Sequence, residues 1–345
     1  MIRWNNDYNK GSHPEILKAL QDYNDTSYGG YGLDEWCEKA SNAIKNTIKK
    51  TNADIHFVVG GTQANYISIA SILRPYQSVI SVVSGHINTH ETGAVENVGH
   101  KVLPCKGING KITPAEIYTI ASEYYDSDIQ EHITQPKMVY ISYPTEYGTI
   151  YSKQELLDIR KACDKYDLYL FIDGARLGYG LGSSMADVTI EDIANIADMF
   201  YIGGTKCGAL FGEAIVILND ELKPHFRSSM KQNGSLLAKG WLLGLQFYTL
   251  FSDDLYFKIT GHATELALKI KAAFEAKNLY GHFESFTNQQ FVILSESQMN
   301  YLAQNHIFEY DSKVDDTHHL VRFCTSWSTK DEDVEALIND INNMQ

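Results

Sequence analysis

Two stretches decide how this chain reads: Tyr201-Ile-Gly-Gly-Thr-Lys206-Cys-Gly-Ala-Leu210 and, one strand upstream, Leu168-Tyr-Leu-Phe-Ile-Asp173-Gly-Ala-Arg176. Each is an apolar run of strand length that stops abruptly in small residues. One delivers a lysine just past its end, the other an aspartate at its end. In an open α/β sheet the carboxyl ends of parallel strands form the ligand-binding edge. Both side chains are therefore expected at one edge of one sheet.

Working outward, apolar runs recur at residues 55–59, 78–83, 101–103, 137–142 and 214–218, the last expected to be antiparallel. Helical patterns fall between them, from Gly60-Gly61-Thr62-Gln63 to about residue 73, over 152–166 and over 190–197. Earlier helices are expected at 13–24, opened by Pro14, and at 34–50, with the glycine-rich loop 27–32 between them. Strands separated by helices predict an α/β fold, a mostly parallel sheet covered on both faces. Past residue 220 the pattern changes. Helical stretches at 236–251 and 259–276 are expected to lead away from the sheet. Strands near 291–294 and 319–323 then alternate with helices near 296–304 and 330–343. The expected division is a large domain over 1–235, including the N-terminal segment, followed by connecting helices and a small C-terminal α+β domain over 236–345.

The bulk numbers exclude several classes. The 345 residues are 44% hydrophobic and 21% charged, and 43 acidic against 29 basic residues give a net charge of -14. Such an acidic chain lacks the phosphate-neutralising surplus that nucleic-acid binding draws on. No run approaches the roughly 20 apolar residues of a membrane helix, and the N-terminus lacks the apolar core of a signal peptide. Five scattered cysteines without a CxxC pair fit reduced thiols in a cytoplasmic protein.

Each candidate group has a plainer alternative. Gly60-Gly61-Thr62 at a strand-to-helix junction suits an anion, because free amides and the helix dipole meet there; the plain reading is a turn capped by Thr62. Asp173 is costly at an apolar strand end unless paired, and Arg176 offers a purely structural partner. Lys206 sits among small residues that leave room for a bulky ring, whereas most lysines simply snorkel. His86-Ile-Asn-Thr-His90-Glu91 lacks HExxH and a third ligand, so no metal is expected; an imidazole stacked on an aromatic cofactor fits better. Gly178-Tyr-Gly180-Leu-Gly182 is a weak dinucleotide signal, and it carries the rival reading of a nicotinamide oxidoreductase. A lysine and an aspartate delivered by different strands suit one cofactor, pyridoxal 5'-phosphate. The lysine would form its Schiff base and the aspartate would pair with its ring nitrogen.

Taken together, Tyr31-Gly-Leu-Asp34, Gly61-Thr-Gln-Ala-Asn65, His86-xxxx-Glu91-xx-Ala94, Thr145-xx-Gly148, Asp173-Gly-Ala-Arg176, Thr205-Lys206-xx-Ala209 and Leu320-Val-Arg322 follow one order and spacing. Over nearly its whole length the chain resembles the threonine aldolases, fold-type I pyridoxal-phosphate enzymes of the β-eliminating lyase group. The resemblance implies cleavage of a threonine-like β-hydroxy-α-amino acid to glycine and an aldehyde. It implies a homodimer or homotetramer with shared active sites. By residue, it makes Lys206 the Schiff-base lysine and Asp173 the partner of the ring nitrogen. Gly61 and Thr62 would hold the phosphate, and His86 would stack on the ring. Arg176 would lie beside cofactor or substrate, and Arg322 would clamp the substrate carboxylate. Tyr31 would lie near a neighbouring subunit's site. After Thr145, where the family carries a histidine, this chain has Glu146, which becomes the candidate base. Near the start the family carries Ser-Asp-Thr and this chain Asn6-Asp7-Tyr8, which assigns Asn6 to the substrate side. Arg227, Lys231 or Lys239 would stand in for a family arginine near the phosphate. The alternatives within this chemistry are β-elimination and an aldolase for a phenylserine-type substrate.

Overall fold

A computed structural model describes residues 1–345 and assembles the apolar runs into one seven-stranded sheet. In chain order its strands are β1 (Asp54–Val58), β2 (Gln77–Val82), β3 (Lys101–Cys105), β4 (Gln135–Ser142), β5 (Tyr169–Asp173), β6 (Met199–Gly203) and β7 (Glu213–Ile217). Across the sheet they lie in the order β1-β7-β6-β5-β4-β2-β3. β7 runs antiparallel to both neighbours, and every other pairing is parallel. Parallel neighbours need crossover connections. The helices Lys153–Lys165 and Ile190–Ile196 supply them before β5 and β6.

The structure adds a helix that the apolar pattern alone did not reveal, Pro114–Tyr125 before β4. Its signal is local. The Thr113 hydroxyl accepts the Glu116 amide while the Glu116 carboxylate accepts the Thr113 amide, and an N-cap of this kind contributes about 1 kcal/mol.

Alternation within the strands sorts side chains between the two faces. Val139 and Ile141 of β4, Leu170 and Ile172 of β5, and Phe200 and Ile202 of β6 fill the larger core. Met138 and Tyr140, Phe171, and Met199 and Tyr201 point to the opposite face, with Ala64 and Ile67 of the helix Gly61–Ile72. By the same period of two, Asp173 shares the face of Phe171. Tyr140, Asp173 and Tyr201 thus meet on one face, beneath the helix that starts at Gly61.

The helix Trp241–Phe251 packs back on the helix Glu35–Thr47 instead of leading away from the sheet, and its Leu243, Phe247 and Leu250 join the larger core. The next helix, Leu255–Ala276, reaches the small domain. There β8 (Gln289–Ser295), β9 (Glu309–Lys313) and β10 (His318–Cys324) form an antiparallel sheet in the order β9-β10-β8. The C-terminal helix Asp331–Asn343 and Phe274 of the long helix close its core. Trp4 is buried in that core, and the N-terminal segment pairs Ile2 and Arg3 with His306 and Ile307. Burying a large apolar side chain contributes about 1.5–3 kcal/mol, so Trp4 is a firm anchor for the residues that follow it.

Candidate active site

Asp173 ends β5 almost wholly buried, 3% exposed, yet both its oxygens are served. Oδ1 accepts the Tyr201 hydroxyl at 2.5 Å and the Ala175 amide at 2.9 Å. Oδ2 accepts the Tyr140 hydroxyl at 2.5 Å and an Asn65 amide hydrogen at 3.1 Å. Burial would push this carboxyl up, but the charge of His86 and the hydrogen bonds from Tyr140, Tyr201 and Ala175 outweigh it and hold Asp173 below the usual carboxylate range. The arrangement therefore keeps a buried anion at the strand end.

The network runs on from Asn65. Its side-chain amide also donates to Glu91 Oε1 at 2.7 Å, and the same oxygen lies 2.7 Å from His86 Nδ1. His86 is pushed down by burial, but Glu91, Glu146 and Asp173 win, and its net shift is upward. Nδ1 is taken by Glu91, which leaves Nε2 as the free ring nitrogen. Asn65 Oδ1 and Glu91 Oε2 are buried without a partner in the chain.

Lys206 follows the end of β6, the strand hydrogen-bonded to β5. The two strand ends are locked by glycine. The Gly203 amide donates to the Gly174 carbonyl at 2.9 Å. A Cβ on Gly174 would lie 1.9 Å from the Tyr201 carbonyl oxygen, and one on Gly203 would lie 2.2 Å from the Ala175 carbonyl oxygen. Only residues without a side chain permit this approach. The Lys206 carbonyl accepts the Tyr179 hydroxyl at 2.5 Å. Its positive charge helps hold Asp7 low and opposes the upward shift of His86.

The helix Gly61–Ile72 opens with Gly60 at its N-cap and no side-chain cap, so Thr62 does not cap it. The helix starts at residues 35, 114, 153 and 190 are capped by Asp34, Thr113, Ser152 and Thr189. A Cβ on Gly60 would meet open space, while one on Gly61 would come within 3.3 Å of the Tyr201 hydroxyl. The uncapped amides therefore lie beside the Asp173 network, with the geometry of an anion site.

Arg176 is buried and committed. Its Nε and Nη2 donate to Asp7 Oδ2 and Oδ1 at 2.7 and 3.1 Å, and Asn288 adds a donor to Asp7 Oδ2 at 2.9 Å. Burial pushes Asp7 up, but Arg176, Lys206 and the hydrogen bonds bring it down to about 2. Glu146 approaches the same guanidinium, with 3.7 Å from Oε2 to Nη1, and accepts the Ser142 hydroxyl at 3.4 Å. Asp173 therefore does not use Arg176 as its partner; Asp7 does.

Arg322, on β10, donates from Nη1 to Gln289 Oε1 at 3.2 Å and from Nη2 to the Asn5 carbonyl at 3.3 Å, and its Nε is buried without a partner. The Cys324 thiol, pushed up to about 11 by burial, is also under the charges of Arg322, Asp7, Arg176 and Lys206. The N-terminal segment thus links the two domains, its Asn5 carbonyl accepting Arg322 of the small domain and its Asp7 accepting Arg176 at the sheet edge.

Asn6 and Tyr31 take no part in this buried network. Asn6 turns its Oδ1 onto the Tyr8 amide at 3.1 Å, and it is Asp7 that enters the buried network. Tyr31 is exposed and has a positive φ of 61°. Its carbonyl accepts Arg227 Nη2 at 3.0 Å, and Lys231 Nζ stands 4.6 Å over its ring. The glycines at 178–182 form no nucleotide loop. Gly178 and Gly180 sit in a short helix, Leu177–Leu181, and Gly182 is its C-cap; a Cβ on Gly178 would press Thr260 at 2.6 Å and one on Gly182 would press Gly261 at 2.7 Å. They are spacers for close helix packing.

Tyr140, Tyr201, Asn65, Glu91 and Asp7 thus join the site without having been singled out. Asn65, Glu91 and Tyr201 lay inside the quoted motifs. Asp7 lay beside the residue chosen.

A family model described as "Beta-eliminating lyase" matches residues 19–305. A low specificity L-threonine aldolase of Pseudomonas aeruginosa is 31% identical over 337 residues, 96% of this chain and 94% of that protein. A solved threonine aldolase of Leishmania major superposes with a TM-score of 0.97 at 42% identity, covering 99% of both chains. Cystalysin of Treponema denticola, whose structure contains pyridoxal 5'-phosphate, shares the fold with a TM-score of 0.72 at 16% identity, over 99% of this chain and 90% of that one.

Proposed function

The chain belongs to the β-eliminating lyase family, and on that premise we propose that it is a pyridoxal-phosphate-dependent carbon–carbon lyase. It cleaves a threonine-like β-hydroxy-α-amino acid to glycine and an aldehyde. The observation that carries this reading is the fully served Asp173 carboxylate at the end of β5, with Lys206 just past the end of the adjoining β6.

The residues fit the cofactor. Asn65 Oδ1, Glu91 Oε2 and Arg322 Nε are buried polar atoms that the chain itself leaves unpartnered, and such atoms cost about 1–3 kcal/mol each unless something answers them. Asp173 would hold the ring nitrogen, the amides of Gly61 and Thr62 the phosphate, Lys206 the aldehyde carbon, and His86 one face of the ring. When bound, pyridoxal phosphate condenses with amines and draws off the electron pair released when a bond to the amine-bearing carbon breaks.

The chain supplies the rest. Arg322, steadied by Gln289 and Asn5, grips the substrate carboxylate and so fixes rotation about the Cα–N bond. Glu146 takes the proton of the β-hydroxyl. Arg176, neutralised by Asp7 and bordered by Glu146, holds that carboxylate in place. Tyr31, with Arg227 and Lys231, completes the site of a neighbouring copy in a homodimer or homotetramer. No helix is long and apolar enough to cross a membrane, and all five cysteines are free and buried. We assign the enzyme to the cytoplasm.

The second reading, β-elimination or cleavage of a phenylserine-type substrate, rests on Glu146, a charged residue at the position where the resemblance implies a histidine. Purified protein supplied with the cofactor and L-threonine, L-allo-threonine or phenylserine separates the readings. Glycine plus aldehyde is expected; pyruvate plus ammonia without aldehyde would overturn the aldolase assignment.

A further inference from the structure

The two arginines of the site are held in different ways. Arg176 is paired with the Asp7 carboxylate at 2.7 Å. Arg322, half-buried on β10, takes only neutral partners, the Gln289 side chain and the Asn5 carbonyl, and its Nε is left over. A guanidinium in such surroundings is costly unless a charge answers it. The charge of Arg322 is thus not consumed within the chain.

Gln289 opens β8. The register partner of Arg322 on that strand is Phe291, and a residue two positions from such a partner lies diagonally across the pair on the same face, within reach of a long side chain. Gln289 is that residue, and it is fully buried. Its Oε1 accepts Arg322 Nη1 at 3.2 Å, and its Nε2 donates to the Glu146 carbonyl at 3.3 Å. These partners fix the orientation of the amide, because a guanidinium only donates and a carbonyl only accepts. One side chain therefore links Arg322 to the backbone of Glu146. The segment that leads into β8 fastens the same loop twice more. The Phe286 amide donates to the Gly148 carbonyl at 3.1 Å, and Phe283 stacks on Tyr147 with ring centroids 3.7 Å apart.

We propose that Gln289 is a positioning residue that sets specificity. It holds Arg322 through a neutral amide, which keeps the guanidinium charge for a substrate carboxylate, and it fixes that grip relative to Glu146, the residue assigned to the β-hydroxyl. A carboxylate at 289 would claim Arg322 for itself, as Asp7 claims Arg176, and a methionine of like length would serve neither partner. The span from Arg322 to Glu146 then selects an amino acid whose hydroxyl is on the β-carbon. This role rests on the reading of Arg322 as the carboxylate grip.

Wild type, Gln289→Glu and Gln289→Met, each loaded with pyridoxal phosphate, are compared by steady-state cleavage of L-threonine or L-allo-threonine. Both variants leave the Glu146 carbonyl unserved, so kcat should fall alike in the two, and KM should separate them. Gln289→Met loses one neutral hydrogen bond to Arg322 and should raise KM about threefold. Gln289→Glu sets a charged acceptor in competition with the substrate carboxylate and should raise KM about tenfold or more. Thermal unfolding of the cofactor-free chains should rank the variants the other way, Gln289→Glu above Gln289→Met, because only the glutamate keeps Arg322 partnered. A residue that served structure alone would give one ranking in both measurements; that result, or equal KM values, would overturn the proposal. Should one variant not fold, a KM in the other within about twofold of wild type overturns it. Wild type that turns over neither amino acid sinks the aldolase reading instead. The proposal is then decided by NMR line broadening of 3-hydroxybutyrate, which has the carboxylate and the β-hydroxyl but no amine. Weaker binding to Gln289→Glu than to Gln289→Met supports it, and equal or stronger binding overturns it.

Discussion

The Tyr201 hydroxyl lies 2.5 Å from Asp173 Oδ1, while the Tyr201 backbone is part of β6, the strand that leads to Lys206. One residue thus grips the carboxylate and carries the lysine. Tyr140, from the strand on the other side, grips the second oxygen at the same distance.

Removing either hydroxyl should loosen that grip. Hydrogen bonds to charged groups contribute about 1.5–3 kcal/mol, so Tyr201→Phe and Tyr140→Phe are each expected to weaken cofactor binding roughly tenfold or more, read by fluorescence titration. The sign with pH follows from the depressed Asp173 value. Its contribution to stability is present above its ordinary value of 3.8 and lost as pH falls through the lower folded value. Fewer donors raise the folded value, so acid unfolding of both variants should begin at higher pH than in wild type.

The Asp7–Arg176 pair ties the N-terminal segment to the sheet. Asp7→Ala leaves a buried guanidinium with only Glu146 at 3.7 Å to balance it and should cost about 3–5 kcal/mol in urea unfolding, whereas Asp7→Leu with Arg176→Met should regain much of that loss. With Asp7 at about 2 in the folded chain, the pair stabilises fully above 3.8 and fades toward pH 2. Equal stability of the single and double variants would contradict this account.

His86 titrates above its ordinary 6.5, with Glu91 the strongest group raising it. Its contribution is full below 6.5 and is lost as pH rises through the folded value. The stability gap between wild type and Glu91→Gln should therefore shrink as pH rises above neutrality. NMR of the His86 ring should show its midpoint moving down in the variant.

Gly174 admits no side chain, because the Tyr201 carbonyl stands where a Cβ would be. Gly174→Ala should cost at least about 3 kcal/mol by overpacking, and it should disturb Lys206 more than a comparable surface change. Denaturant unfolding and cofactor titration of the same sample check both.

Asp173 and Lys206 were legible because each ends an apolar run, and strand ends are where an α/β sheet exposes chemistry. Tyr140 and Tyr201 were not, because their convergence on Asp173 depends on β4 and β6 flanking β5, an order that a linear reading does not contain. Asp7 meets Arg176 across 169 positions, brought there by the Trp4 anchor and the pairing of Ile2 and Arg3 with the small domain. The glycines at 178–182 gave only a weak dinucleotide signal, because close helix packing and nucleotide loops call for the same residue.

The most direct test is the absorbance of purified protein mixed with pyridoxal phosphate, for wild type and Lys206→Ala. Wild type should develop the visible band of a cofactor held through a lysine nitrogen, and borohydride should bleach it irreversibly. Lys206→Ala should show neither the band nor turnover. A variant spectrum indistinguishable from wild type would contradict the central claim.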